Sequence, residues 1–195
     1  MKVHSAVDYD PDKRERILNA AAQLIISQGL QAPMSVIADA AGVATGSLYN
    51  YFRSKDDLIL AVYQRVARSL EADIVVAMEP GLSYEQRVER YVENYVDHIW
   101  RDPTRAALYE VITNSPTIMQ QRMVGLFMEM VTYSIDVLGE GLGEQSQRAM
   151  PVSLTASFIR GAIRNTLKRH RAAGGEMTPE LRARITRMCL AALVA

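Results

Sequence analysis

Apolar residues recur along this chain at the three-and-four spacing of helices, and no long stretch alternates apolar and polar residues with period two. The pattern predicts an all-α protein of about nine helices. Its breaks fall at residues that punctuate helices. Proline suits the first helical position and glycine the residue past the last, and five of the seven prolines stand at such starts. Asp10-Pro11 opens a first helix with the stripe Ile17, Ala21, Leu24 and Ile25, closed by Gly29. Pro33 opens a short second helix, striped by Met34, Ile37, Ala38 and Ala41 and stopped at Gly42, and a short third runs from about Ala44 to Tyr51. Ser54 with Asp57 has capping-box spacing and starts a long fourth helix that ends before Pro80-Gly81.

Ser83 with Gln86 is a second capping box. It opens a fifth helix whose buried side is Val88, Tyr91, Val92, Tyr95 and Ile99, ending near Arg101. Asp102-Pro103 starts a sixth, and Ser115-Pro116 a seventh that stops in the loop from Gly139 to Gly143. An eighth begins between Ser146 and Pro151 and stops at Gly174-Gly175, and Thr178-Pro179 caps a ninth. There is no internal repeat.

The stretch from Pro33 to Leu58 carries the chemistry. Two short helices meet across Gly42, which can take the left-handed backbone that a sharp turn requires, and Ala38, Val43 and Leu48 form a small locking core. This is the layout of a helix-turn-helix. The third helix begins with small or polar Ala44, Thr45, Gly46 and Ser47, which let its backbone approach base edges. Its first amides favour phosphate. Tyr49, Asn50 and Tyr51 reach phosphate oxygens or thymine methyls, and Lys55 adds positive charge next to Arg53. Ser35, early in the second helix, completes the expected DNA contacts. Such heads read two half-sites about 34 Å apart, so a palindromic operator and a homodimer are expected together.

Charge adds little to this picture. The whole chain is formally neutral, and the first sixty residues hold six bases against seven acids. The favourable field is local, since no acid lies between Gly42 and Ser54. The longest apolar run, Met188 to Ala195, is eight residues where a bilayer span needs about 20. No apolar leader is visible, and the one cysteine, Cys189, cannot form an intrachain disulfide. A cytoplasmic protein with no membrane partner is expected.

At Ile37-Ala38, Ala41-Gly42-Val43, Gly46, Leu48-Tyr49, Tyr51-Phe52, Ser54-Lys55 and Leu58 the chain resembles the tetracycline-repressor (TetR) family, and the nine-helix layout agrees along its length. Two positions depart from the family pattern: Ala32-Pro33 replaces a frequent threonine, and Ala44 a usual serine. The resemblance implies a DNA-binding head, residues 1–53, and a ligand-binding and dimerisation body, residues 54–195. It also implies an effector pocket among helices four to eight and a four-helix dimer interface from the last two. For the pocket, the residues offer Asn94, Tyr95, His98, Trp100, Tyr109, Ile112, Thr113, Met119, Met123, Phe127 and Phe158, although such spacing also suits plain core. For the interface they offer Leu154, Phe158, Gly161, Ala162, Leu181, Ile185 and Met188.

The basic series Arg160, Arg164 and Lys168, followed by Arg169, His170 and Arg171, is read as a solvated face that suits its helix C-terminus, in preference to an anionic-ligand or second DNA surface. The three histidines are too scattered for a metal centre, and no cofactor is expected. Catalytic motifs are missing: there is no His-Glu-x-x-His, no P-loop and no Cys-His cluster. A ligand-responsive repressor is expected, released by a small-molecule effector, with an activator or chromosome-organising protein as the alternative.

Overall fold

The computed structural model describes residues 10–114, 124–142 and 150–194. Among them are nine α-helices and no strand: α1 Pro11–Gln28, α2 Met34–Ala40, α3 Thr45–Tyr51, α4 Lys55–Ile74, α5 Tyr84–Arg101, α6 Pro103–Asn114, α7 Met128–Gly139, α8 Val152–Ala172 and α9 Pro179–Val194. No helix among the described residues is long and apolar enough to cross a membrane.

One device starts three of these helices. An acceptor side chain stands just ahead of a proline that has no amide to satisfy. Asp10 Oδ1 takes the amides of Asp12 and Lys13 at 2.9 and 3.2 Å, Asp102 Oδ1 that of Arg105 at 2.9 Å, and Thr178 Oγ1 that of Leu181 at 3.2 Å. Ser83 and Gln86 form a full reciprocal box on α5.

The fourth helix ends ahead of Pro80-Gly81 as expected, at Ile74, where the β-branched run Ile74-Val75-Val76 weakens helical preference. One boundary differs from the sequence expectation. The seventh α-helix begins only at Met128, after a 3-10 turn over Val124–Phe127 that contains Gly125. The expected start at Ser115-Pro116 lies outside the described residues.

The chain forms two compact units. The first takes in α1, α2, α3, α4 as far as Val66, and α6 from Ala107. Here α1 packs on α2 and α2 on α3. Ile17, Leu18, Ala21, Ala22 and Ile25 of α1 are buried, as are Met34, Ile37 and Ala38 of α2 and Leu48 of α3.

The second unit holds α4 from Ala67, α5, the start of α6 to Ala106, α7, α8 and α9. Within it α5 touches α7, α8 and α9, while α8 also packs on α7 and on α9. The C-terminal carbonyls of α5, which have no partner inside their own helix, are met from α8. Arg171 Nη2 donates to Ile99 O at 3.2 Å and Trp100 O at 2.7 Å, with its guanidinium 4.4 Å from the Trp100 ring centre. An ion pair of 2.7 Å between Arg182 and Asp97 joins α9 to the same helix.

Candidate nucleic-acid interface and sensing residues

The first unit builds its site around Gly42. At φ 65° this residue sits in the left-handed region, although a methyl group there would meet nothing within 4 Å. Backbone geometry, rather than crowding, is therefore what calls for glycine. Val43 N donates to Ala38 O at 3.0 Å and Gly42 N to Asp39 O at 3.1 Å, the paired bonds of a Schellman ending. They close α2 and turn the chain directly into α3.

Beneath that turn Leu48 is wholly buried, a burial that stabilises by about 1.5–3 kcal/mol. Phe52, also buried, lies under the Arg14 guanidinium of α1 at 5.4 Å. These two anchors fix which face of α3 points away. Tyr49 is 47% exposed, and Ser35, Ala44, Gly46, Asn50 and Arg53 are exposed as well. Thr45, Ser47 and Lys55 are half-buried. Tyr51 is half-buried too, and its hydroxyl accepts the Asp10 amide at 3.0 Å, so this tyrosine ties the start of α1 to α3. No side chain caps α3 at Ala44, as expected where alanine stands for serine.

The candidate sensing residues are spread over both units. On α5, Tyr95 is buried and its hydroxyl accepts from Arg164 at 2.9 Å, while Asn94 is half-buried. His98 is also buried, with Nδ1 2.7 Å from Asp73 Oδ2. Burial pushes the imidazole below its ordinary value and outweighs the opposing pull of the Asp73 hydrogen bond. At neutral pH His98 is thus uncharged, donating from Nδ1. The same carboxylate is approached by Arg101 at 3.6 Å and Arg105 at 3.8 Å.

Trp100 is covered by Arg171 and lies 5.9 Å from the His170 ring. Phe127 is buried. On α6, Tyr109 and Ile112 are buried in the first unit, and the Thr113 hydroxyl donates to Tyr109 O. Met119 and Met123 lie outside the described residues.

Phe158 falls elsewhere. It is 64% exposed on α8, near Leu154 at 59%, with Met188 of α9 at 66%. Phe158, Ala162, Ile185 and Met188 line one groove, whose apolar wall also includes Cys189. Gly161 and Leu181 are half-buried. Burial pushes the Cys189 thiol up to about 11, so it stays protonated and behaves as a small apolar group.

The basic series needs a correction. Arg160 is not solvated: it is 8% exposed, and its Nη1 donates to the buried Ser134 Oγ of α7 at 2.5 Å. The signal was present, because Arg160 stands on the buried stripe Ala156, Ile159, Ile163 and Leu167. A default that places every arginine in water overrode it. Sequence reasoning also missed Asp73, whose partner is 25 residues away, and Tyr63 of α4. Tyr63 is fully buried with no hydrogen-bond partner for its hydroxyl among the described residues, and burial pushes that hydroxyl up to about 12.

Comparison with known proteins agrees with this layout. The family model described as "Bacterial regulatory proteins, tetR family" matches residues 17–62, which hold the turn and α3. The HTH-type transcriptional activator FasR of Mycolicibacterium smegmatis is 36% identical over 92 residues, 47% of this chain. The match spans only 42% of that relative, so this chain covers less than half its length. The fatty acid metabolism regulator protein of Bacillus subtilis is 38% identical over 158 residues, covering 80% of this chain and 81% of the relative. Among solved structures, the transcriptional regulator FadR from Bacillus subtilis in complex with stearoyl-CoA shares the fold at TM-score 0.63 and 19% identity, over 92% of this chain and 95% of that one.

Proposed function

The chain belongs to the TetR family of bacterial regulatory proteins, and from that premise we propose that it is a cytoplasmic, ligand-responsive repressor that grips a palindromic operator as a homodimer and is released by a small-molecule inducer. The observation that carries this reading is the presentation of α3. Its inner side is pinned by Leu48 and Phe52, and its outer side offers Ala44, Gly46, Tyr49 and Asn50 to a groove. Residues 1–53 act as the DNA-binding head and 54–195 as the body. Dimerisation is supported by Leu154, Phe158 and Met188, large apolar side chains that a lone chain leaves in water.

A long-chain acyl ligand is the proposed effector. The support is the 38% identical regulator of fatty acid metabolism and the neighbour solved with stearoyl-CoA. Because α4 contributes to both compact units, a shift of its second half by ligand is the proposed route to the head. Activation is the second reading, favoured by the relative named an activator.

The test is a mobility-shift titration with the gene's own upstream DNA, with and without stearoyl-CoA. Specific retardation, relieved by the acyl ligand, is expected. Linkage makes the effect reciprocal, so operator DNA must weaken ligand binding by the same factor. Equal ligand affinity with and without operator rules out release by inducer, and no retardation at all sinks the DNA-binding reading.

A further inference from the structure

We propose that Arg160 is the counter-ion for the effector: an anionic oxygen group of the small molecule, a carboxylate or a phosphate, lies against this guanidinium between α5, α7 and α8. The inference rests on the proposal above that this body binds a small molecule.

Arginine does not lose its charge in proteins, so Arg160 is a buried cation. A buried charge is costly unless it is paired and its donors are used. Three other arginines of this unit obey that rule. Arg87 pairs with Glu140 at 2.8 Å, Arg182 with Asp97 at 2.7 Å, and Arg105 with Asp102 at 3.2 Å. Their side chains keep 23%, 34% and 30% exposure, respectively. Arg160 is more deeply buried, yet no carboxylate lies within ion-pair distance among the described residues, and one hydroxyl is its hydrogen-bond partner. Of these four arginines, the one most withdrawn from water is the one with no acid beside it among the described residues.

The surroundings are arranged for an anion to complete them. Ser134 spends its own hydrogen on Val131 O at 2.8 Å, which leaves an oxygen lone pair facing Arg160 Nη1 and orients the guanidinium. One turn along α8, Arg164 donates to the Tyr95 hydroxyl, so a second cation enters the same layer. The Tyr91 ring lies 6.3 Å from both Tyr95 and Tyr133, and the Tyr133 hydroxyl donates to Val76 O. The layer therefore combines positive charge with neutral hydroxyls and aromatic walls. Its planar fork of donors fits a carboxylate or phosphate oxygen pair better than any neutral group.

Calorimetric titration of the full chain with stearate, stearoyl-CoA and uncharged methyl stearate tests this and separates the two anion sources. Wild type is expected to bind at least one charged probe at least tenfold more tightly than the ester. Arg160→Met should lose that preference while still binding the ester, and Arg160→Lys should keep part of it. Thermal unfolding without ligand gives a readout that a merely structural arginine would move the other way. An apolar chain replacing an unpaired cation leaves the melting temperature equal or higher, whereas loss of a structural contact lowers it. Equal binding of charged and neutral probes by wild type, undiminished anion binding by Arg160→Met, or a lower melting temperature for that variant overturns the proposal. If wild type binds none of the three probes, the acyl reading falls and the melting temperature alone decides the role of Arg160.

Discussion

His98 of α5 and Asp73 of α4 meet at 2.7 Å, one side chain fully enclosed and the other reaching partway to water. Because the imidazole's folded value is depressed, the unfolded chain takes up the proton first as pH falls. The stabilising contribution is therefore complete above the ordinary histidine value, about 6.5, and is lost as pH drops through it. Melting temperature should fall between pH 7.5 and 5.5, and His98→Asn should flatten that slope. An unchanged slope in the variant would assign the pH dependence to other groups.

Gly42→Ala forces a side chain into the left-handed region, at a cost of about 1–2 kcal/mol. Nothing lies within 4 Å of the new methyl, so the loss should equal the backbone term and no more. Leu48→Ala should cost more, about 2–5 kcal/mol, because it opens a cavity under α3. Denaturant titration of both variants checks the order.

Tyr49 and Lys55 are predicted to act the opposite way, on affinity and not on stability. Tyr49→Ala and Lys55→Ala should weaken operator binding, with the lysine variant also lowering the salt dependence by about one unit of slope. Their unfolding midpoints should stay within about 0.5 kcal/mol of wild type. Unaltered operator affinity in both would remove α3 from the interface.

Phe158→Arg and Met188→Asp place charge on side chains that are mostly exposed in a single chain. Sedimentation should show monomers for each where the parent is a dimer, and operator affinity should drop with dimerisation. A parent that already sediments as a monomer would refute the proposed interface.

Tyr63→Phe removes a buried hydroxyl that has no hydrogen-bond partner among the described residues. Stability should be unchanged or rise by up to about 1 kcal/mol, since an unsatisfied buried polar group costs roughly 1–3 kcal/mol. A clear loss of stability would reveal a partner that the hydroxyl finds in solution.

The helices were legible because their ends are written in local chemistry. Asp10-Pro11, Asp102-Pro103, Ser83 with Gln86, and Gly42 each act within about four residues of where they stand. The stripe on α5 followed from spacing alone, and all five of its expected residues are buried. The start of α7 was not legible, since Gly125 and its short turn interrupt a stretch whose apolar spacing continues. The pairing of His98 with Asp73 and the burial of Arg160 depend on which helices become neighbours. Residue type misleads there: an arginine is judged by its charge, while its place on the inner stripe of α8 is decided by packing.

Two of the three boundaries between the units fall inside helices: Val66 and Ala67 are consecutive residues of α4, and Ala106 and Ala107 of α6. Scissors that need an extended substrate find no such stretch at these two seams. Proteolytic fragments should therefore begin and end elsewhere, and a recombinant piece cut at either of them would carry the raw stump of a helix. Swapping sensors between relatives is better planned by exchanging whole helices than by cutting within α4 or α6.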